Sequence, residues 1–230
     1  MTTTDPSQGE NPLGPPGGPR SRRTPRSSRG ATLGQTRALR EHSRALVSQL
    51  RAEIGVPERP SGRAALLMLM GLPGAGKTHC ARLLAARLDA AHVATDHLRS
   101  VLFIAASYAD EENRAVFTVA EALVDELLGE GHAVILDATN LIARYRAPME
   151  GVARRRGVTP LHVLVVADDA DARARLAARA ERRGPGDHSD ADVGVYERMR
   201  RQGFEPPERF VELHNGPDLG AEIERIAALA

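Results

Sequence analysis

The stretch "MLMGLPGAGKTHC", residues 68–80, joins an apolar run to a helix-like run through a glycine-rich loop. Gly71, four further residues, Gly76, Lys77 and Thr78 follow the spacing of a P-loop, which cradles the phosphates of a nucleotide. Glycines let backbone N–H groups approach a phosphate, and the N-terminus of the next helix favours negative charge. We therefore predict a nucleotide-binding loop formed by Gly71, Leu72, Pro73, Gly74, Ala75, Gly76, Lys77, Thr78 and His79.

Short apolar runs alternate with helix-like runs from residue 63 onward. The apolar runs predict strands at residues 64–70, 90–95, 132–139, 160–167 and 209–216. Apolar strands separated by helices are typical of a parallel sheet that is covered on both faces. We predict an α/β fold of the P-loop NTPase type, with a five-stranded parallel sheet, helices on both faces and an arginine-rich lid.

The first 62 residues do not follow this pattern. Residues 1–33 are rich in Pro, Gly and Arg, and we predict that they are disordered because they offer little apolar surface to bury. Residues 34–62 predict a helix and a linker, with Leu46, Leu50 and Ile54 at helical spacing. This helix either packs on the main domain or serves as a linker. Residues 63–230 form the predicted P-loop domain, with a lid at about 171–190.

The composition excludes several classes of protein. The 230 residues carry a formal net charge of +1, which argues against a wholly basic nucleic-acid coat protein. A single cysteine, Cys80, excludes an internal disulfide, and the histidines lack the spacing of a zinc site. The N-terminus has no apolar signal region, and the apolar run 64–70 is too short to cross a bilayer. We predict a soluble cytoplasmic protein without membrane contact.

The residues after the P-loop favour phosphoryl transfer over vigorous hydrolysis. Lys77 is expected to reach the β- and γ-phosphates, and the Thr78 hydroxyl to bind Mg²⁺. The sequence has no Asn-Lys-x-Asp motif, which GTPases use to read guanine. The strand "AVILD" ends in Asp137 and then Ala138, without the Glu that activates water in many ATPases. The sequence therefore predicts transfer from ATP to a hydroxyl acceptor.

Polar side chains follow two of the predicted strands. Asp96 lies just past the second strand, where ligands of open α/β sheets bind, and is our candidate general base. Its alternative role is an N-cap for a helix that starts at His97. Arg99 either holds the substrate or Asp96, or is a solvated helix residue. Asp137 is expected to contact Mg²⁺ or the acceptor, and Asn140 either contacts the substrate or caps the next helix.

Arginines crowd the helix that is predicted at residues 169–183. Arg175, Arg179 and Arg183 recur every four residues and so share one helix face, where like charges repel. A bound triphosphate would relieve this repulsion, which favours a lid that closes on ATP about hinges at Gly184 and Gly186. The alternative is a solvated basic face.

Four motifs together carry a family resemblance. "GLPGAGKT", "VATDHLR", "VILDATNLIARYR" and an arginine-rich lid followed by "FEPPE" resemble the P-loop kinases of the AAA-type ATP-binding kinase family. That family is similar to the kinase domains of polynucleotide kinases and, more distantly, to zeta toxins and chloramphenicol phosphotransferase. The resemblance covers about residues 63–230 and implies ATP and Mg²⁺ as cofactors. His79 departs from it, because Ser or Thr is common there.

The resemblance also implies roles for single residues. Asp96 matches the acceptor-activating aspartate, and Asp137 and Asn140 match the "DATN" pair of the family. It implies catalytic roles for Lys77, Asp96, Arg146, Arg175 and Arg179, Mg²⁺ contacts for Thr78 and Asp137, and substrate contacts for Asp96, Arg99, Asp137 and Asn140.

Three functions remain open from the sequence. The leading one is an ATP-dependent kinase that acts on a hydroxyl of a small metabolite or of a nucleic-acid 5′ end. Nucleic acid is not favoured, because aromatic residues that could stack on bases make up only 3% of the chain. The alternatives are a regulatory ATP-binding switch without a dedicated acceptor, and a nucleic-acid-binding ATPase whose contacts include the arginines of residues 20–29.

Overall fold

The computed structural model describes residues 46–103, 109–182 and 191–230. The predicted disordered tail, the first part of the predicted N-terminal helix and the proposed hinge glycines Gly184 and Gly186 lie outside these ranges. All described residues belong to one unit of the chain, Arg40–Ala230. Among them, no helix is long and apolar enough to cross a membrane.

Strands and helices alternate along the described chain. The strands are β1 (Ala65–Met70), β2 (Ala91–Ala94), β3 (Ala133–Asp137), β4 (Leu161–Val166) and β5 (Val211–His214). Residues 46–53 are helical and are named α1. The other helices are α2 (Lys77–Leu88), α3 (Thr95–Leu102), α4 (Asp110–Gly129), α5 (Ala143–Arg155), α6 (Asp169–Arg182), α7 (Val193–Gln202) and α8 (Leu219–Ala227).

The five strands form one parallel sheet in the order β2-β3-β1-β4-β5. β1 lies at its centre because the chain moves outward to β2, returns to β3 and then crosses to β4. The carboxyl ends of β2, β3 and β1 are therefore neighbours, and a ligand crevice opens where the strand order reverses. The predicted α/β fold with a five-stranded parallel sheet is confirmed.

Alternate residues of β1 face opposite sides of the sheet and define two hydrophobic cores. Leu66 and Met68 pack with apolar residues of α1, α3, α4 and α5. Leu67 and Leu69 pack with residues of α2 and α8. Helices thus cover both faces, and the near-continuous apolar character of β1 follows from burial on both sides.

Helix α1 packs on the P-loop domain. Val47 and Leu50 are buried in the same core as α4. The guanidinium of Arg51 lies 2.6 Å from a carboxylate oxygen of Glu126 on α4 and 2.7 Å from one of Glu130, the residue that follows α4. Of the two alternatives for the N-terminal helix, this packing agrees with an addition to the main domain.

Candidate active site

The glycine-rich loop runs from the end of β1 to the start of α2. Gly74 and Gly76 have φ angles of 77° and 90°, in the left-handed region that favours glycine. A Cβ atom at Gly76 would lie 2.0 Å from Nδ2 of Asn215, which donates a 2.8 Å hydrogen bond to the carbonyl of Ala75. Lys77 Nζ donates to the carbonyl of Leu72 at 3.0 Å, so its side chain folds back over the loop.

Asp137, at the end of β3, is the centre of a buried polar cluster. Its carboxylate lies 3.2 Å from Nε2 of His92 and accepts a hydrogen bond from the Thr78 hydroxyl. Burial would raise the pKa of Asp137, but the contacts with His92, Lys77 and Thr78 outweigh it and hold this pKa below its usual value. Asp137 is therefore an ionised carboxylate beside the P-loop threonine.

Charges of both signs surround Lys77. Burial lowers the pKa of its ammonium group, while the carboxylates of Asp137 and Asp96 counteract burial and Arg179 adds to it. The charge of Asp96, from the second strand-to-helix junction, therefore acts on the P-loop lysine. The P-loop and the residues after β2 therefore contribute to one site.

Asp96 lies in the first turn of α3, which begins at Thr95. The predicted start at His97 is thus wrong by two residues, and Asp96 is not the N-cap, a position that Ala94 occupies. A carboxylate in a first helical turn is favoured by the helix dipole and stays accessible to solvent or ligand. Its position in the cavity wall agrees with the predicted general base, a role that stays a prediction.

Arg99 joins α3 to α4 and also borders the cavity. Its guanidinium donates a 2.7 Å hydrogen bond to Oδ1 of Asn113 and lies 3.7 Å from a carboxylate oxygen of Glu112. With only 6% of its surface exposed, Arg99 is not the solvated helix residue of the alternative interpretation.

Asn140 is buried and has a left-handed φ of 48°. Its side-chain Nδ2 donates to the carbonyl of Leu69 at 2.8 Å, while its Oδ1 accepts no hydrogen bond from the described residues. The predicted cap of α5 comes instead from Glu205, which accepts a 2.8 Å hydrogen bond from the backbone N–H of Ala143. Asn140 borders the cavity, while its unpaired Oδ1 is shielded from solvent.

Arg146 is not brought together with the other predicted catalytic residues. It is 2% exposed, lies outside the cavity wall and donates to the carbonyls of Asn140 at 2.8 Å and of Glu205 at 2.6 Å. It thus joins the segment after β3 to the "FEPPE" segment after α7. These contacts favour a positioning role for Arg146, and its predicted catalytic role stays a prediction.

Replacing Arg146 with alanine should lower the free energy of unfolding by about 3 kcal/mol, because two carbonyls lose their donor and a buried cavity forms. Urea denaturation measures this change. The exposed Arg154 of the same helix is the control, and Arg154→Ala should stay within about 0.5 kcal/mol of wild type. Wild-type stability combined with lost activity in Arg146→Ala would restore the catalytic interpretation.

Helix α6 lies against the glycine-rich loop. Nη1 of Arg175 is 3.3 Å from the carbonyl of Gly74, and both Arg175 and Arg179 border the cavity. The base of this helix is joined to α7 through a hydrogen bond from Tyr196 to Asp169. Arg175 and Arg179 therefore share the face turned to the P-loop. Residues 183–190 of the predicted lid lie outside the described residues.

One cavity of about 1390 Å³ joins these groups. The predicted residues in its wall are Pro73, Gly74, Gly76, Lys77, Thr78, His79, Asp96, Arg99, Asp137, Asn140, Arg175 and Arg179. Of the other predicted residues, Gly71, Leu72 and Ala75 form the loop behind this wall. Sequence reasoning missed Glu53, Ile54, Phe117 and Tyr145, which line the same cavity. Its volume exceeds the 300–1,000 Å³ or so of a common one-ligand pocket, which leaves room for two substrates.

A family model described as an AAA domain matches residues 66–207. The chain belongs to this AAA-domain family. The match covers β1 to the "FEPPE" segment and therefore every residue of the predicted site. No curated protein sequence matches the chain. The narrower resemblance to polynucleotide kinases, zeta toxins and chloramphenicol phosphotransferase stays a prediction.

Solved structures share the fold of this AAA-domain protein. Kti12 from Chaetomium thermophilum, in complex with ADP-AlF3, is 24% identical, with a TM-score of 0.59 over 71% of this chain and 96% of that one. The APS kinase CysC from Mycobacterium tuberculosis, in complex with AMPPNP and APS, is 21% identical, with a TM-score of 0.53 over 73% of this chain and 97% of that one. A gluconokinase from Sinorhizobium meliloti is 16% identical, with a TM-score of 0.51 over 74% of this chain and 97% of that one. At these identities the likeness shows a fold in common with P-loop kinases.

Proposed function

We propose that the chain is an ATP-dependent kinase that transfers the γ-phosphoryl group to a hydroxyl acceptor. One observation carries this proposal: Lys77 of the P-loop and Asp96 of α3 face one cavity that has room for a nucleotide and a second substrate. A general base opposite a phosphate-binding lysine is the arrangement that phosphoryl transfer to an alcohol requires.

The donor half would hold the nucleotide. Backbone N–H groups of the loop would bind the β-phosphate, and Lys77 would neutralise charge between the β- and γ-phosphates. Arg175 and Arg179 approach from α6 and would stabilise the negative charge of the transition state.

The oxygens of Thr78 and Asp137 suit Mg²⁺, which prefers oxygen ligands and takes the rest of its shell from phosphates and water. The ion would neutralise charge on the β- and γ-phosphates when bound. Because its pKa is depressed, Asp137 presents an ionised carboxylate to this position at neutral pH.

The acceptor half would supply the base. Asp96 would accept the proton of the acceptor hydroxyl as its oxygen attacks the γ-phosphorus and the bond to the β-phosphate oxygen breaks. The products would be ADP and a phosphate monoester. Asn140, which borders the cavity, would help to orient the hydroxyl.

A regulatory ATP-binding switch would need the donor half alone. Asp96, in the wall of the same cavity, has no evident use in such a switch, whereas a kinase requires a group that activates the acceptor hydroxyl. We therefore favour the kinase. The third possibility, a nucleic-acid-binding ATPase, depends on an arginine-rich tail that lies outside the described residues.

The test is a transfer screen with ATP that is radiolabelled in the γ-phosphate. Hydroxyl metabolites and 5′-OH oligonucleotides are the acceptors, and Lys77→Ala is the blank. We expect transfer by wild type and a loss of about 10³-fold in Lys77→Ala, because the charge that faces the γ-phosphate is gone. Tight ATP binding by wild type, with no transfer to any acceptor, would favour the switch.

A further inference from the structure

The C-terminal end of α1 reaches the cavity, although the family match begins only at residue 66. Glu53 and Ile54 lie in the cavity wall together with Asp96. We propose that α1 is part of the acceptor subsite and that Glu53 selects a neutral or cationic hydroxyl compound over an anionic one. This inference rests on the proposed kinase function.

The anchoring of α1 gives Glu53 a defined place. Leu50, one turn before Ile54, is fully buried. Arg51 is held by the carboxylates of Glu126 on α4 and of Glu130 just after it, with hydrogen bonds of 2.8 Å and 2.7 Å to Glu130. A binding side chain is effective when the element that carries it is fixed by packing and by ion pairs. The end of α1 meets that condition.

Glu53 pairs with the residue that follows the proposed general base in the chain. Its Oε2 is 3.6 Å from Nε2 of His97, the residue that follows Asp96. Its Oε1 accepts a 3.2 Å hydrogen bond from Gln49, one turn earlier on α1. The Glu53 side chain is 36% exposed, so a molecule in the cavity can reach the carboxylate.

Besides Glu53, the cavity wall carries apolar groups and a paired cation on neighbouring elements. Phe117 and Tyr145 stack with their ring centroids 6.3 Å apart, and Ile54 adds an aliphatic surface. The guanidinium of Arg99 is held by Asn113 and by an ion pair with Glu112.

The other cations of the wall lie on α2, α6 and α7, on the side of the P-loop, where the phosphates of ATP would neutralise charge; they are Lys77, Arg82, Arg175, Arg179 and Arg198. A carboxylate such as Glu53 accepts hydrogen bonds from hydroxyl or ammonium groups, whereas an anionic group placed beside it is repelled. The acceptor end is therefore suited to a compound that carries hydroxyls without a carboxylate, sulfate or phosphate.

The experiment compares acceptors of similar size and different charge. Glucosamine, glucose and gluconate share a six-carbon skeleton and differ in charge, and a 5′-OH oligonucleotide is the polyanionic probe. Transfer is measured for the full-length wild type, Glu53→Gln, Glu53→Lys and the control Glu58→Gln. Glu58 is exposed, follows α1 closely and lies outside the cavity wall.

Wild type should prefer glucosamine and glucose. Glu53→Gln should raise the KM for these acceptors about tenfold, the usual effect of a charge-assisted hydrogen bond, with the KM for ATP unchanged. Glu53→Lys should shift the ratio of kcat/KM towards gluconate, a change that a merely structural role would not produce. Glu58→Gln should behave as wild type.

Binding of the same probes to protein loaded with a non-hydrolysable ATP analogue separates the two hypotheses. Charge-selective binding that Glu53→Gln abolishes, without any transfer, overturns the kinase and supports the subsite. A wild-type preference for gluconate or the oligonucleotide overturns the subsite and leaves the kinase standing. If Glu53→Lys has the same charge preference as wild type, the subsite is likewise overturned and the kinase still stands.

Discussion

Asp96→Asn should lower phosphoryl transfer about 10³-fold and leave the affinity for ATP within about twofold of wild type. Asparagine keeps the size of the side chain but cannot accept the proton of the acceptor hydroxyl. The nucleotide would still meet the loop, Lys77 and Thr78, which the substitution does not touch. Steady-state kinetics with the acceptor found in the transfer screen, together with nucleotide titration, measure both quantities.

Asp110→Asn is the matched control for this variant. Asp110 lies in the first turn of α4, as Asp96 does in α3, but outside the cavity wall. The control should retain wild-type transfer, because it loses only a small interaction with the helix dipole. Undiminished transfer by Asp96→Asn would exclude Asp96 as the general base and return that role to another group in the cavity.

Asp137→Asn should lower transfer about 10²-fold at limiting Mg²⁺, with partial recovery at high Mg²⁺. The variant retains hydrogen bonds with His92 and Thr78 but loses the ionised carboxylate that the depressed pKa maintains. A titration of activity against Mg²⁺ concentration measures the shift in the midpoint.

Asp168→Asn provides the comparison for Asp137. Asp168 follows β4 as an exposed residue and lies outside the cavity wall, so the Mg²⁺ midpoint of its variant should be that of wild type. Equal midpoints for Asp137→Asn and wild type would contradict the proposed Mg²⁺ contact.

The core of the fold was predictable because its signals are local. Apolar runs mark the strands, the glycines of the loop fix the strand-to-helix turn, and parallel pairing places Asp96 and Asp137 at one edge of the sheet. The predicted meeting of Lys77, Thr78 and Asp137 depended on this topology alone.

The residues whose surroundings the sequence did not predict depend on contacts that are distant in the chain. Arg146 has the same appearance in sequence whether it faces a phosphate or two backbone carbonyls, and its carbonyl partner Glu205 lies 59 residues away. Glu53 and Ile54 were missed because their role requires α1 to pack beside α3 and α4. "FEPPE", noted as part of the resemblance, was the only signal that pointed to Glu205.

The buried helix α1 contributes to the folded core although it lies outside the family match. The family match starts at residue 66, but Val47 and Leu50 fill the core between α4 and the sheet. A fragment cut at the family boundary would expose apolar side chains of β2 and α4 to water and lose the ion pairs of Arg51. Such an exposed patch promotes association between chains. We therefore expect the smallest piece that folds on its own to include α1, upstream of the family match.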